Sequence, residues 1–258
     1  MPHQLRASHI LEIVERTAGR RFAQVTRAVR CTTLRRMLRF LWETEGTPKL
    51  DEHVPHLGSI RPRCVTASRE QIEALLNAAG RTLRMFLLMC SDLAIRSGTA
   101  VRISPHEYDP ARRILRFRTK YDEKVTLPVT AELADMFDEC DLNSGLPFIT
   151  QARRAEEPRA ARRMISEVVD PRRLRKELRM LRHQLGIEKR IIPHDLRRTT
   201  AVALYKRTRD IRKAQALLGH HQLQSTFWYL DHDLEDVDLA DLEAIKKPFI
   251  VHRKEQSA

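Results

Sequence analysis

Apolar residues return every three or four positions from Leu5 to about Trp42: Ile10, Ile13 and Val14, then Phe22, Val25 and Val29, then Leu34, Met37, Leu38 and Leu41. That spacing predicts two or three amphipathic helices, each with one packing face. Arg16, Arg20, Arg21, Arg27, Arg30, Arg35, Arg36 and Arg39 fill the intervening positions, so the other face is basic: either a phosphate-binding surface or a solvated face with no partner. The period is lost from 43 to 66 among Gly46, Pro48, Pro55, Gly58 and Pro62, the pattern of an interdomain linker. Ser68 followed by Gln71 forms a capping-box pattern, and Gly80 reads as the stop of the helix it opens. A second domain begins here. Residues 81–101 continue as a buried helix, because Leu83, Phe86, Leu87, Met89, Cys90 and Leu93 leave only a narrow polar side.

The period then changes from about 3.6 to 2. Ile114, Arg116 and Arg118 alternate with Leu115, Phe117 and Thr119, a charged turn follows, and Val125 and Leu127 precede Pro128. This predicts a β-hairpin inside a mainly helical domain. Residues 131–140 return to helix and LNSGLPF breaks it. Residues 151–190 hold thirteen basic against six acidic side chains, with Leu174, Leu178, Leu181 and Leu185 at helical spacing. Three or four short helices are expected over 194–248, separated at Arg209-Asp210, at Gly219-His220 and after Tyr229. The fold class is therefore mainly α with a small antiparallel β-hairpin or sheet (α+β), in two domains, 1–65 and 66–258.

Composition adds a partner. Lys and Arg total 47 against 34 Asp and Glu, a formal charge of +13. The isoelectric point near 10.1 points to a polyanion. Arg outnumbers Lys 37 to 10; the planar guanidinium suits phosphate, although a GC-rich genome also enriches it. A hydrophobic fraction of 42% is too high for a wholly disordered chain. No apolar run approaches 18 residues, and the first residues mix charges through their apolar positions, which disfavours a membrane span or a secretory leader. Cys31, Cys64, Cys90 and Cys140 lie far apart without a CxxC pair, so reduced thiols in a cytoplasm are expected and zinc is not. GxxxxGK[ST] does not occur, and neither a metal nor another cofactor is expected.

The chemistry concentrates in three segments: Pro193-His194-Asp195-Leu196-Arg197-Arg198-Thr199-Thr200, Leu217-Leu218-Gly219-His220, and Ser225-Thr226-Phe227-Trp228-Tyr229. They resemble the HxLRR, LLGH and terminal T-x-x-Y motifs of the tyrosine recombinase, or phage integrase, family. The intervals, 23 residues from Arg197 to His220 and 9 from His220 to Tyr229, are similar to that family's. The resemblance covers roughly 67–245 and, more loosely, the N-terminal helices, which resemble a shortened core-binding domain. It implies that Arg96 in LAIRSG and Arg197 are the two catalytic arginines, His194 and His220 the histidines, Lys120 the hairpin lysine, and Tyr229 the nucleophile. Lys124, just across the expected turn, is the alternative to Lys120, and His221 leaves the second histidine ambiguous by one position.

The reaction asks for these residue types. A phenol attacking a phosphodiester builds negative charge on phosphoryl oxygens, and two arginines supply charge and geometry where no metal motif does. A free tyrosine has a pKa of about 10, so it needs neighbouring cations and a proton acceptor. His194 is the candidate base, His220 a hydrogen-bond donor to phosphate, and Lys120 the general acid for the leaving 5′-oxygen. A covalent phosphotyrosine keeps the bond energy for rejoining. Each residue also has a structural alternative: Tyr229 as aromatic packing, His194 as a helix-start residue, Arg197 as a solvated charge, and His220 as a helix C-cap.

The resemblance implies site-specific integration, excision or transposition on double-stranded DNA, without a cofactor. It further implies a homo-tetramer that passes a C-terminal helix between subunits. Leu234, Val237, Leu239, Leu242 and Ile245 give 231–250 an apolar stripe suited to that exchange, or to packing on its own domain. Type IB topoisomerases, which share the chemistry, usually carry lysine where His194 stands. A catalytically silent DNA-binding protein on the same fold is the third reading. Two positions depart from the family: Ala94 replaces a usual glycine and Thr99 a usual glutamate, leaving open how Arg96 is oriented. Some 65 residues is short for the core-binding domain, so a first helix is expected to be missing and DNA clamping weakened; no arm-type domain is expected before it.

Overall fold

The computed structural model describes residues 5–19, 21–57, 65–119 and 122–230. The chain forms two compact units, 1–63 and 64–258.

In the first unit, α1 (Ala7–Ala18) and α2 (Gln24–Glu45) pack around Ile10, Ala18, Cys31 and Leu38. The expected linker is part of this packing. Residues 43–45 finish α2, and Leu50 and Val54 are buried against the helices around a 3₁₀ turn at Asp51–His53. Arg39 bonds the buried Asp51 at 3.1 Å, and Arg35 donates to the Val54 carbonyl at 2.8 Å. Glycine and proline broke the helical period here without removing the apolar side chains that hold the segment down. Val25, Val29 and Phe40 stand exposed on α2 among its arginines.

The second unit opens with α3 (Arg69–Ala78), where Ser68 and Gln71 form the expected reciprocal cap. Gly80 is the N-cap of α4 (Arg81–Ser91), because the chain turns at Ala79 and Gly80 and starts a new helix at once. The expected 81–101 helix is two helices, since the chain leaves α4 at Asp92 and resumes as α5 (Ser97–Ala100). Met85, Phe86, Leu87, Leu88, Met89 and Cys90 are all fully or almost fully buried, making α4 the central helix.

A 3₁₀ turn at Pro105–Glu107 leads to β1 (Tyr108–Asp109), β2 (Ile114–Arg118) and β3 (Lys124–Pro128), an antiparallel sheet in the order β1-β2-β3. The β2–β3 hairpin follows the sequence alternation, with Leu115 opposite Leu127 and Phe117 opposite Val125 on the buried face. The two-residue β1 is too short to show a period. Its Tyr108 packs edge-on against Phe137 and Phe148, which stack at 4.0 Å.

The helices α6 (Ala131–Asp138), α7 (Phe148–Glu156), α8 (Arg159–Arg162) and α9 (Pro171–Gln184) follow. The Glu156 carboxylate accepts from Thr82 N and Thr82 Oγ1, satisfying the start of α4. Then come α10 (Pro193–Thr208), α11 (Ile211–Leu218) and α12 (Leu223–Leu230), with breaks at Arg209-Asp210 and Gly219-His220 as the sequence predicts. The apolar stripe expected over 231–250 lies outside the described residues. Among the described residues no helix is long and apolar enough to cross a membrane.

Candidate active site

Helix α10 packs against α4 and sets the site's floor. Thr199 Oγ1 accepts from the Ala67 amide at 2.8 Å, and Thr200 Oγ1 donates to the Ser91 carbonyl. The two threonines of the motif therefore anchor the helix, which leaves His194 and Arg197 one turn apart near its N-terminus.

Arg197 is 3% exposed. Its Nη1 donates to the Ala94 carbonyl and its Nη2 to the Leu218 carbonyl, tying the loop before Arg96 to the end of α11. Its buried Nε has no hydrogen-bond partner among the described residues. Burial pushes its pKa down to about 10, which still leaves it charged at neutral pH. Ala94 occupies the left-handed region at φ +50°, a conformation that favours glycine. The backbone there keeps the shape a glycine would suit, and that shape presents the Ala94 carbonyl to Arg197.

The Tyr229 hydroxyl lies 2.5 Å from His194 Nε2 and 3.0 Å from Nδ1. Its ring meets those of His194 and His220 edge-on, with centroids 5.0 and 5.2 Å away. The Arg198 guanidinium stands 6.0 Å from the Tyr229 ring centroid. Burial raises the tyrosine pKa, and the charges of Arg197, Arg96 and Arg198 oppose that rise. The phenol is therefore protonated at rest and needs an acceptor. His194 is placed to accept a proton, because burial and the same three arginines hold its pKa below the usual histidine value and its imidazole stays neutral.

His220 is 9% exposed, and its Nδ1 shares a 3.1 Å hydrogen bond with the buried Thr226 hydroxyl. Burial, then Arg197, Arg96 and His194, push its pKa down to about 4. The unfolded chain takes up this proton near pH 6.5 and the folded one only near pH 4, so the stability from His220 is complete above 6.5 and lost as pH falls through that window. Between pH 7.5 and pH 4.5 a wild-type loss of about 2 kcal/mol is expected, because part of the window lies below 4.5 and the ring is not fully screened from solvent. Urea unfolding at pH 7.5 and pH 4.5 checks this, and His220→Gln should flatten the slope; equal slopes would contradict the burial argument.

Arg96 and Thr99 line a cleft of about 660 Å³ with His194, Arg197, Glu107 and Thr119. Arg96 is the N-cap residue of α5, and its carbonyl accepts from the Thr99 and Ala100 amides. Glu107 is the one carboxylate among the described residues lining the cleft. It enters from the 3₁₀ turn, where its Oε2 accepts from the Ser104 amide at 2.9 Å. Lys120 lies outside the described residues; its neighbour Thr119 lines the cleft. Lys124 sits opposite Arg118 on the exposed face of the hairpin, in an adjoining depression with Arg116 and His106 that shares Arg118 and Glu107 with the cleft. The structure thus gathers Arg96, His194, Arg197, His220 and Tyr229 at one place and leaves Lys124 outside the cleft. Sequence reading passed over Arg198, Thr226 and Glu107. The doubled arginine of LRR and the threonine of T-x-x-Y were visible signals for the first two, whereas nothing local marked Glu107.

The phage integrase family model matches residues 66–235, about two thirds of the chain and all of the cleft. The chain belongs to the phage integrase family. Members of this family are DNA-cleaving and DNA-rejoining enzymes. This integrase-family chain is 25% identical over 225 residues to the tyrosine recombinase XerD of Lacticaseibacillus casei, covering 80% of this chain and 71% of that one. It is 28% identical over 182 residues to a tyrosine recombinase of Pseudothermotoga lettingae, covering 69% of this chain but only 58% of the relative. Its fold is that of the XerH site-specific recombinase solved on its difH substrate before cleavage, with a TM-score of 0.66, 13% identity, and coverage of 96% and 72%.

A second basic feature lies on α9. A groove of about 570 Å³ is lined by Arg172, Arg175, Lys176, Arg179, Arg182 and Arg190, with Glu188 as its acidic member. Arg182 is buried and donates to the carbonyls of Ile187, Glu188 and Lys189, so it shapes the groove. Arg172, Arg175, Lys176 and Arg179 are exposed along it. Pro193 lines both this groove and the cleft, so the two adjoin at the start of α10.

Proposed function

We propose that this chain is a site-specific recombinase that cuts and rejoins duplex DNA through a covalent 3′-phosphotyrosine on Tyr229, in integration, excision or transposition of mobile DNA. The observation that carries this reading is the Tyr229 hydroxyl at 2.5 Å from a neutral His194 beside buried Arg197. The Tyr229 Oη–P bond forms as the P–O5′ bond breaks. The phenolic proton passes to His194, and the leaving 5′-oxygen takes a proton from Lys120. Arg96 and Arg197 neutralise the non-bridging oxygens, and His220 donates to one of them. Rejoining reverses each transfer, so no nucleotide is consumed.

Duplex DNA as partner is supported by the α9 groove and by the neighbour solved on its DNA substrate. The first unit, with its basic α2, serves as a short core-binding domain. By resemblance, 231–250 passes to a neighbouring subunit and yields a tetramer on two sites. The expected reduced thiols fit a cytoplasmic, DNA-associated protein. The test is strand transfer between two duplexes carrying a site selected from random DNA by binding to the protein. Exchange supports recombination, whereas plasmid relaxation without exchange would assign a topoisomerase.

Binding is also expected to weaken steeply with salt. Four exposed cations in the α9 groove predict a log–log slope of at least about −4, and Arg175→Glu with Arg179→Glu should flatten it. A slope unchanged by the double variant would remove the groove from the interface.

A further inference from the structure

The hairpin and the His220 corner touch at two points that the reaction scheme does not use. Gly219 ends α11 at φ +52°, and a Cβ there would lie 3.1 Å from the side-chain methyls of both Thr119 and Val125. The hairpin therefore packs directly on this backbone. Beyond it, His221 Nδ1 meets Glu123 Oε1 at 2.6 Å. Glu123 belongs to the tip, where its carbonyl accepts from the Thr119 amide at 2.9 Å. Gln215 fixes the other side of the contact: its carbonyl accepts from the His220 amide at 3.2 Å, and its Nε2 donates to the His220 carbonyl at 2.9 Å.

The His221 side chain is 76% exposed and that of Glu123 35%. A pair this open contributes little to stability. Its consequence is geometric, because it joins the tip of a hairpin that contributes Thr119 to the cleft to the corner that contributes His220.

We propose that His221 is a positioning residue: through Glu123 it docks the β2–β3 hairpin on the end of α11, beside the cleft that Thr119 lines, and so supports the general-acid step assigned to Lys120. This rests on the assignment of Lys120 as general acid. The histidine doublet at 220–221 then divides its work, with His220 facing the reacting phosphate and His221 holding the hairpin.

The experiment uses the full chain and nicked suicide duplexes carrying the selected site, with either oxygen or sulfur at the bridging 5′ position. A thiolate leaves without a proton, so sulfur removes the need for the general acid. His221→Ala and Glu123→Ala are expected to slow adduct formation on the oxygen substrate about tenfold, part of the ~10²–10⁴ a general acid supplies. DNA affinity and melting temperature should stay unchanged, the double variant should be no slower than either single one, and sulfur should restore wild-type rates. Lys120→Ala should show the same rescue with a larger initial loss. Wild-type rates for both variants on oxygen, or a defect that sulfur does not relieve while Lys120→Ala is relieved, overturns the positioning role alone. Failure of sulfur to relieve Lys120→Ala overturns the general-acid assignment and the positioning role with it.

Discussion

Tyr229→Phe is expected to abolish the covalent protein–DNA adduct while leaving duplex binding and the fold in place. The substitution removes only the hydroxyl. The Tyr229 ring still meets the two histidines edge-on and stays within reach of Arg198, so the packing of α12 is retained. What disappears is the hydroxyl proposed to attack phosphorus, with its hydrogen bond to His194. No neighbouring group substitutes for it, and adduct formation on a nicked duplex should fall below detection, a loss of at least about 10⁴. Denaturing gels of wild type and variant measure this directly. A variant that still forms adduct would place the nucleophile elsewhere and remove the basis of the proposed reaction.

Arg197→Lys should damage both cleavage and stability. The guanidinium serves the Ala94 and Leu218 carbonyls with two different nitrogens while carrying charge beside Tyr229. A lysine ammonium is a single point and cannot keep both carbonyls and face the phosphate. One buried carbonyl is left unpaired, a cost of about 1–3 kcal/mol, and loss of the preorganised charge should slow adduct formation by roughly 10²–10³. Urea unfolding and adduct kinetics measure the two effects separately. Arg96 is only half-buried in the lining of the cleft, so Arg96→Lys is expected to slow cleavage without a comparable loss of stability. Wild-type stability for Arg197→Lys would contradict the bridging role.

Local pattern carried much of this architecture. The capping box at Ser68, the hairpin alternation and the breaks at Arg209-Asp210 and Gly219-His220 are short-range features, legible because caps, pleats and left-handed turns each demand particular residues within a few positions. The motif residues were legible for a different reason: their intervals match those of the family, and folding brings His194, His220 and Tyr229 together. Where sequence reading erred, the deciding contact came from far along the chain. Residues 43–57 read as linker because Gly46, Pro48 and Pro55 hide the burial of Leu50 and Val54. The continuous helix expected over 81–101 breaks so that the Ala94 carbonyl can meet Arg197, 103 residues away.

The sequence alone determined that the chain is a basic, mainly helical protein with a small hairpin, and it singled out the candidate residues of the site. Only the tertiary structure decided their electrical states and their supports. Burial beside three arginines keeps His194 neutral, so it can accept the Tyr229 proton; Thr226 fixes His220; and Arg118, not its cross-strand partner Lys124, lines the cleft. Periodicity records which face of an element is buried, but a proton's affinity depends on every charge that folding brings near it, and those charges are distant in sequence.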